Sequence, residues 1–149
     1  VKIQLDIDEE YEEALVIIKS KEMTEEISEI LKKLKSIKKR NVIGLENEKI
    51  YILNPDDILV IYSKDQKVFV DTINKTYEVK KRLYELEDEL RGESFVRISK
   101  FAIANVDKIR NIEVVFNGNL VVNFINGRKE TISRRYLQKV KDFIGMGGR

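Results

Sequence analysis

The chain has 149 residues, 42% of them hydrophobic, with no Cys, no His and a formal net charge of +2. That length supports one core, or one core and a small satellite, while the missing thiols and imidazoles exclude disulfides, thiolate and imidazole metal sites, and every Ser/His or Cys/His nucleophile pair. The charge is unevenly held: residues 1–37 carry six Lys against ten Asp and Glu, net −4, which leaves +6 for the remainder, so an acidic head precedes a basic body.

No window approaches the roughly 18 apolar residues of a membrane span, and the start "VKIQLDIDEE" lacks the basic and apolar regions of a leader, so a soluble, cytoplasmic protein is expected. Val1, Ile3, Leu5 and Ile7 alternate with Lys2, Gln4, Asp6 and Asp8, the period-two pattern of a half-buried strand. "ALVIIKSK" from Ala14 predicts a second strand. Thr24 then caps a predicted helix with Glu25 and Glu26 in its first turn, an apolar stripe of Ile27, Ile30, Leu31, Leu34 and Ile37, and lysines in its last turn, so charge runs with the helix dipole. The cationic "KSIKKRN" reads as a boundary. Residues 1–40 are thus expected to form a strand-strand-helix module, and residues 41–149 a second domain.

From Asn41 the text becomes short strands with turn signals. "VIGL" and "KIYIL" flank "ENE", Pro55 presets a turn in "NPDD", and "ILVIYS" and "KVFVDTI" flank "KDQ". "TYEVK" leads into a predicted helix, "KRLYELEDELRG", with Leu83, Leu86 and Leu90 on one face and Gly92 as its stop. "FVRISKFAIANVDKI" alternates at Phe95, Arg97 and Ser99 and then breaks into apolar text around Lys100 with no Gly or Pro to mark a turn. Next come "RNIEVVF", "NLVVNFI" and "KETIS", separated by Asn117-Gly118 and Asn126-Gly127, two type I′ hairpin signals in succession that predict a meander. Ser133 caps a last predicted helix, "RRYLQKVKDFIGM", with Leu137, Val140 and Ile144 inward. The fold class is α+β, mainly β.

Catalysis fits this text poorly. The carboxylate pairs Asp56 with Asp57 and Glu87 with Asp88 sit in a turn and on a solvated helix face, and "GMGGR" follows a helix, so it reads as a frayed tail and not a phosphate loop. No enzyme activity, cofactor, metal or small-molecule substrate is expected. The last helix is more telling, because Arg134 and Arg135 occupy its first turn, where the dipole opposes a cation by roughly 0.3–1 kcal/mol at an exposed site. Solvation or a carboxylate partner would explain them; so would an external anion, a phosphate or a guanine edge. The tip "SKDQK", with Lys64, Gln66 and Lys67, and the strand end at Ser99 and Lys100 are two more polar protrusions, each solvated on the plainest reading. Together with Arg134, Arg135 and Tyr136 they are candidates for meeting one double-stranded DNA.

The runs "DDILVIYSKDQKVFV", "YEVKKRLYELEDELRGESFVRISKFAIANVDKI" and "NGRKETISRRYLQKVKDFI" resemble the LytTR family of bacterial DNA-binding domains, from about Asn41 to Phe143. The resemblance implies small antiparallel sheets with short helices, and sequence-specific binding to direct repeats in promoters through loops that enter the major groove. Carried over by position, it implies base contacts at Ser99, Lys100 and Arg135, and near Gln66 or Lys67. Family members often have His and Asn or Ser at the middle site, where this chain has Ser99, Lys100 and Phe101. The acidic head is too short for a receiver domain and is similar to that of small stand-alone members, which implies a homodimer or control by a membrane-protein inhibitor. The alternative reading is a protein-interaction module, bound to a membrane partner, in which the basic loops are incidental.

Overall fold

Strand pairing among the described residues, 1–37 and 40–145 of the computed structural model, is antiparallel throughout. Lys38 and Lys39 of the expected boundary, and residues 146–149 of the expected tail, lie outside the described residues. The chain divides into two units, Val1–Ile37 and Lys38–Arg149.

In the first unit the helix α1 (Glu25–Ile37) forms as expected, with the Thr24 Oγ1 accepting from the Ile27 N–H at 3.3 Å and Glu25 and Glu26 in its first turn. The two strands expected before it do not form: residues 1–24 contain no strand. Alternation marks a face to be buried, but a strand exists only where a neighbour meets its backbone N–H and C=O groups, and none does so within this unit. Val1, Ile3, Leu5 and Ile7 are 80–88% exposed.

The second unit is built on a seven-stranded sheet in the order β2-β1-β5-β4-β3-β7-β6, from β1 (Val42–Glu46), β2 (Lys49–Leu53), β3 (Ile58–Lys64), β4 (Lys67–Thr72), β5 (Thr76–Val79), β6 (Phe95–Ser99) and β7 (Ala102–Asn105). The meander β8 (Ile109–Val114), β9 (Leu120–Phe124) and β10 (Lys129–Ile132) forms a second sheet. The expected mainly β, α+β architecture is therefore present. Two cores hold it. Ile58, Ile61, Val70 and Ile103 pack with Leu83, Leu86 and Leu90, contributed by α2 (Leu83–Glu89) and the residue after it. Leu59, Val60, Val96, Ile98, Ala102 and Ala104 pack with Val122, Phe124, Ile132 and Val140, from the meander and α3 (Leu137–Phe143). β7 contributes to both cores, which is why "AIAN" lacks alternation: all four of its residues are buried.

Both Asn-Gly hairpins form, but through connections longer than the expected two-residue type I′ turn. Between β8 and β9 the Gly118 N–H donates to the Val115 carbonyl at 3.1 Å, and Asn117 and Gly118 take positive φ, 70° and 74°. At Asn126-Gly127 only Gly127 does; there the Asn126 Oδ1 accepts from the Arg128 N–H at 3.0 Å, and a longer loop replaces the two-residue turn. α2 begins at Leu83, so Lys81 and Arg82 precede the helix instead of opening it. Gly44 has a packing reason: a Cβ there would sit 2.8 Å from Leu53 and 2.9 Å from Tyr77. Gly44→Ala is expected to destabilise the domain by about 1–3 kcal/mol, read as a lower urea midpoint at unchanged m-value. Among the described residues no helix is long and apolar enough to cross a membrane.

Candidate nucleic-acid interface

The unpunctuated break at Lys100 is a tight hairpin turn between β6 and β7, with Ser99 paired to Ala102 and an irregular register after Arg97. Side chains replace the missing Gly. The Arg97 guanidinium donates to the Ser99 carbonyl at 2.8 Å and to the Lys100 carbonyl at 2.6 Å, and the Ser99 Oγ accepts from the Phe101 N–H at 3.1 Å. Arg97 is itself held by Glu87 of α2 at 3.2 Å, with its side chain only 12% exposed. A charged fork bonded to two carbonyls leaves the turn few alternatives, so Lys100 and Phe101 are presented from a fixed backbone. The Lys100 Nζ lies 5.7 Å from the centre of the exposed Phe101 ring.

The other two candidate segments are tied to the same turn by main-chain bonds. The Ser63 N–H, just before the tip with Lys64, Gln66 and Lys67, donates to the Phe101 carbonyl at 2.8 Å. The Ser133 N–H, just before Arg134, donates to the Ile98 carbonyl at 2.9 Å. Residues far apart in the chain are thus brought to one end of β6. Gln66, Lys67, Lys100 and Phe101 line one open groove of about 720 Å³, and Lys64, Ser99 and Phe101 share the depression beside it.

Arg134, Arg135 and Tyr136 form a 3-10 turn ahead of α3, not the first turn of an α-helix, and the Ser133 side chain makes no cap bond. With only seven residues in α3 the dipole carries little weight, and the two arginines, like Lys100 and Arg82, have no carboxylate partner among the described residues. The nearest aromatic to Arg135 is the Tyr136 ring, 6.0 Å from its guanidinium carbon. Of the tip residues, Lys67 pairs with Glu78 at 3.7 Å, whereas Lys64 and Gln66 are exposed.

Sequence reasoning passed over Lys80, Lys81 and Arg82, which line the same groove as Lys100. The run "KKR" was the available signal, hidden by its division between a strand end and the start of a helix. Lys80 binds Glu78 at 2.6 Å, a hydrogen bond that holds the Glu78 carboxyl below its ordinary pKa, and Lys81 binds Glu89. Arg82 has no acidic partner among the described residues.

The sequence model of the LytTr DNA-binding domain family matches residues 48–145. The chain belongs to that family. LytTR proteins are DNA binders and not enzymes, in keeping with a text without His or Cys. A solved LytTr DNA-binding domain from Bacillus cereus superimposes with a TM-score of 0.68 at 23% identity, covering 72% of this chain and 98% of that one, so the two share a fold. An uncharacterized HTH-type transcriptional regulator of Staphylococcus aureus (strain MSSA476) is 28% identical over 147 residues, 98% of this chain and 99% of the relative, a match that includes the acidic head. The sensory transduction protein LytR of Staphylococcus haemolyticus is 29% identical over 108 residues, 72% of this chain and 42% of that protein. Despite the helix-turn-helix in the staphylococcal relative's name, α2 and α3 of this LytTR protein are separated by five strands, so among the described residues of the domain no two consecutive α-helices form that motif.

One backbone feature of the tip bears on its role. Asp65 and Gln66 take φ of 52° and 64°, a left-handed pair without glycine. Such a residue costs on the order of 1 kcal/mol, partly offset in a glycine variant by about 0.5 kcal/mol of chain entropy. Gln66→Gly is therefore expected to raise the unfolding free energy by about 0.5 kcal/mol, measured by urea titration, while weakening DNA binding.

Proposed function

We propose that this protein is a sequence-specific transcriptional regulator that reads promoter DNA through three stapled segments, with Lys100, Phe101 and Arg135 at base edges and Lys64, Gln66, Lys67, Arg82 and Arg134 on phosphates. The observation that carries this reading is the pair of main-chain bonds, Ser63 to Phe101 and Ser133 to Ile98, that tie the three segments to one turn. Ser99 serves the turn through its bond to the Phe101 N–H, and Tyr136 backs Arg135. Two copies on direct repeats, with loops in successive major grooves, fit a domain of this size and the family's habit. The staphylococcal relatives named as transcriptional regulators support the regulatory half of the reading.

Phe101 gives the reading a chemical edge. An exposed ring fixed by its own backbone suits the methyl group of thymine, the apolar mark of the major groove. Replacing thymine by uracil at the position it reads is expected to weaken wild-type binding about 3- to 10-fold and to leave Phe101→Ala indifferent, each good contact being worth about 1–3 kcal/mol at most.

Titration of specific and scrambled duplexes across salt tests the whole. Specific binding is expected to fall steeply, with a log-log slope on the order of −0.9 per neutralised phosphate. Lys100→Ala and Arg135→Ala should narrow the gap between the two duplexes, whereas Lys64→Ala and Arg82→Ala should weaken both about equally. A gap untouched by Arg135→Ala refutes its assignment, and absence of binding to any duplex favours the protein-interaction reading instead.

A further inference from the structure

Cations, an amide and a ring make up the surface proposed to meet DNA, yet an acid stands among them. Glu130 of β10 lines the depression of about 390 Å³ that Lys64, Ser99 and Phe101 share, and it is the only carboxylate among the described residues there. Its side chain is 25% exposed, open enough to be reached from outside. Arg128, two residues earlier, fixes it: the Arg128 Nε and Nη2 donate to the same oxygen, the Glu130 Oε1, at 3.2 Å and 2.7 Å. Arg128 is held in turn by the Asp71 Oδ2 at 3.4 Å, and its guanidinium carbon lies 4.1 Å from the centre of the Tyr62 ring. A parallel guanidinium-carboxylate fork gives each oxygen one N–H. Here both N–H groups serve Oε1, and the Glu130 Oε2 has no hydrogen-bond partner among the described residues. One guanidinium between two carboxylates also leaves an excess of negative charge in a region otherwise cationic.

We infer that Glu130 is a specificity-determining residue, whose Oε2 accepts from the N4 amino group of a cytosine in the major groove. A negative oxygen turned toward phosphates weakens binding to every sequence unless a base brings it a donor. Cytosine answers this need best, because the amino group is its one hydrogen-bonding group in that groove. Adenine sets its N7 acceptor beside its amino group, and guanine and thymine present acceptors only, all of which a carboxylate repels. The ties of Arg128 to Asp71 and Tyr62 hold the acceptor in place before DNA arrives, as a reading group requires. This role rests on the DNA reading proposed above and deepens it. Phe101 lines the same depression and is assigned a thymine methyl, so the cytosine is expected within about three base pairs of that thymine.

Selection of bound sequences from random duplex DNA, followed by titration of duplexes changed at single positions, compares the full chain with its Glu130→Ala and Glu130→Gln variants. The wild type is expected to recover a cytosine near the position that Phe101→Ala relaxes, favoured about 5- to 10-fold over the other bases. Glu130→Ala should lose that one preference and bind scrambled duplex about 2- to 3-fold more tightly, since an acid has left a surface that faces phosphates. In Glu130→Gln the oxygen held by Arg128 remains an acceptor and the outer group becomes an amide donor. The preference should then pass from cytosine to thymine, whose O4 stands where the cytosine N4 stood. A gained preference is not a product of lost folding, so this variant separates reading from stability. A motif that Glu130→Ala leaves unaltered, or a Glu130→Gln protein that still selects cytosine, overturns the inference alone. A wild type that recovers no motif refutes the DNA reading and takes the inference with it.

Discussion

Arg97→Ala is expected to weaken binding to the specific duplex about 10- to 100-fold while changing binding to scrambled DNA by less than about 3-fold, although Arg97 is mostly buried and is not proposed to touch DNA. The physical reason lies in the turn at Lys100. Its conformation rests on two hydrogen bonds from one guanidinium to the Ser99 and Lys100 carbonyls, with Glu87 holding the guanidinium from the far side. Removing the fork frees both carbonyls, and Lys100 and Phe101 then sample many positions of which few fit a base edge. Nonspecific affinity depends on the count of cations near phosphates and loses little. Arg97→Lys keeps the charge but not the planar fork, so it should recover less than half of the lost specificity in free-energy terms. Lys139 also reaches Glu87, at 3.2 Å, so the Glu87 carboxylate keeps a partner and the domain is expected to stay folded. Fluorescence anisotropy with both duplexes, alongside circular dichroism, separates loss of presentation from loss of fold.

Asn105→Ala is expected to cost about 2–3 kcal/mol of unfolding free energy, since it strips donors and an acceptor from a buried site. Asn105 is 2% exposed at the end of β7. Its Nδ2 donates to the Ile58 carbonyl at 2.7 Å and to the Pro55 carbonyl at 3.4 Å, and its Oδ1 accepts from the Asp107 N–H at 3.1 Å. One amide thereby joins the turn before β3 to the turn after β7, across 47 residues of chain. Asn105→Asp should be no milder, because a buried carboxylate cannot donate to either carbonyl. At low temperature the folded fraction should bind DNA with wild-type specificity, since Asn105 lies at the opposite end of β7 from the Lys100 turn. Urea unfolding, with binding measured well below the melting temperature, checks both halves.

Much of the DNA-binding domain was legible in the text because its signals are local. Leu83, Leu86 and Leu90 mark the buried face of α2, and Asn117-Gly118 marks the place of the hairpin between β8 and β9. The strand order was not legible. β5 sits between β1 and β4, and β7 between β3 and β6, through pairings that no local pattern encodes. The turn at Lys100 was read as a loop because its support is not a turn residue but Arg97 reaching over its own hairpin. Lys81 and Arg82 were hidden by a helical reading that begins two residues too early and Lys80 by its reading as a strand end, while the alternation of the head predicted two strands that do not form. For the strand order the deciding partners are distant in sequence.

Selection of bound sequences from random duplex DNA, carried out with the wild type and with Lys100→Ala and Arg135→Ala, tests most directly whether one end of β6 reads a double helix. A recovered motif that each variant relaxes at its own few base positions, with the two sets within about one helical turn of each other, is the predicted result. A wild type that recovers no motif, or variants that recover the wild-type motif unaltered, would contradict it.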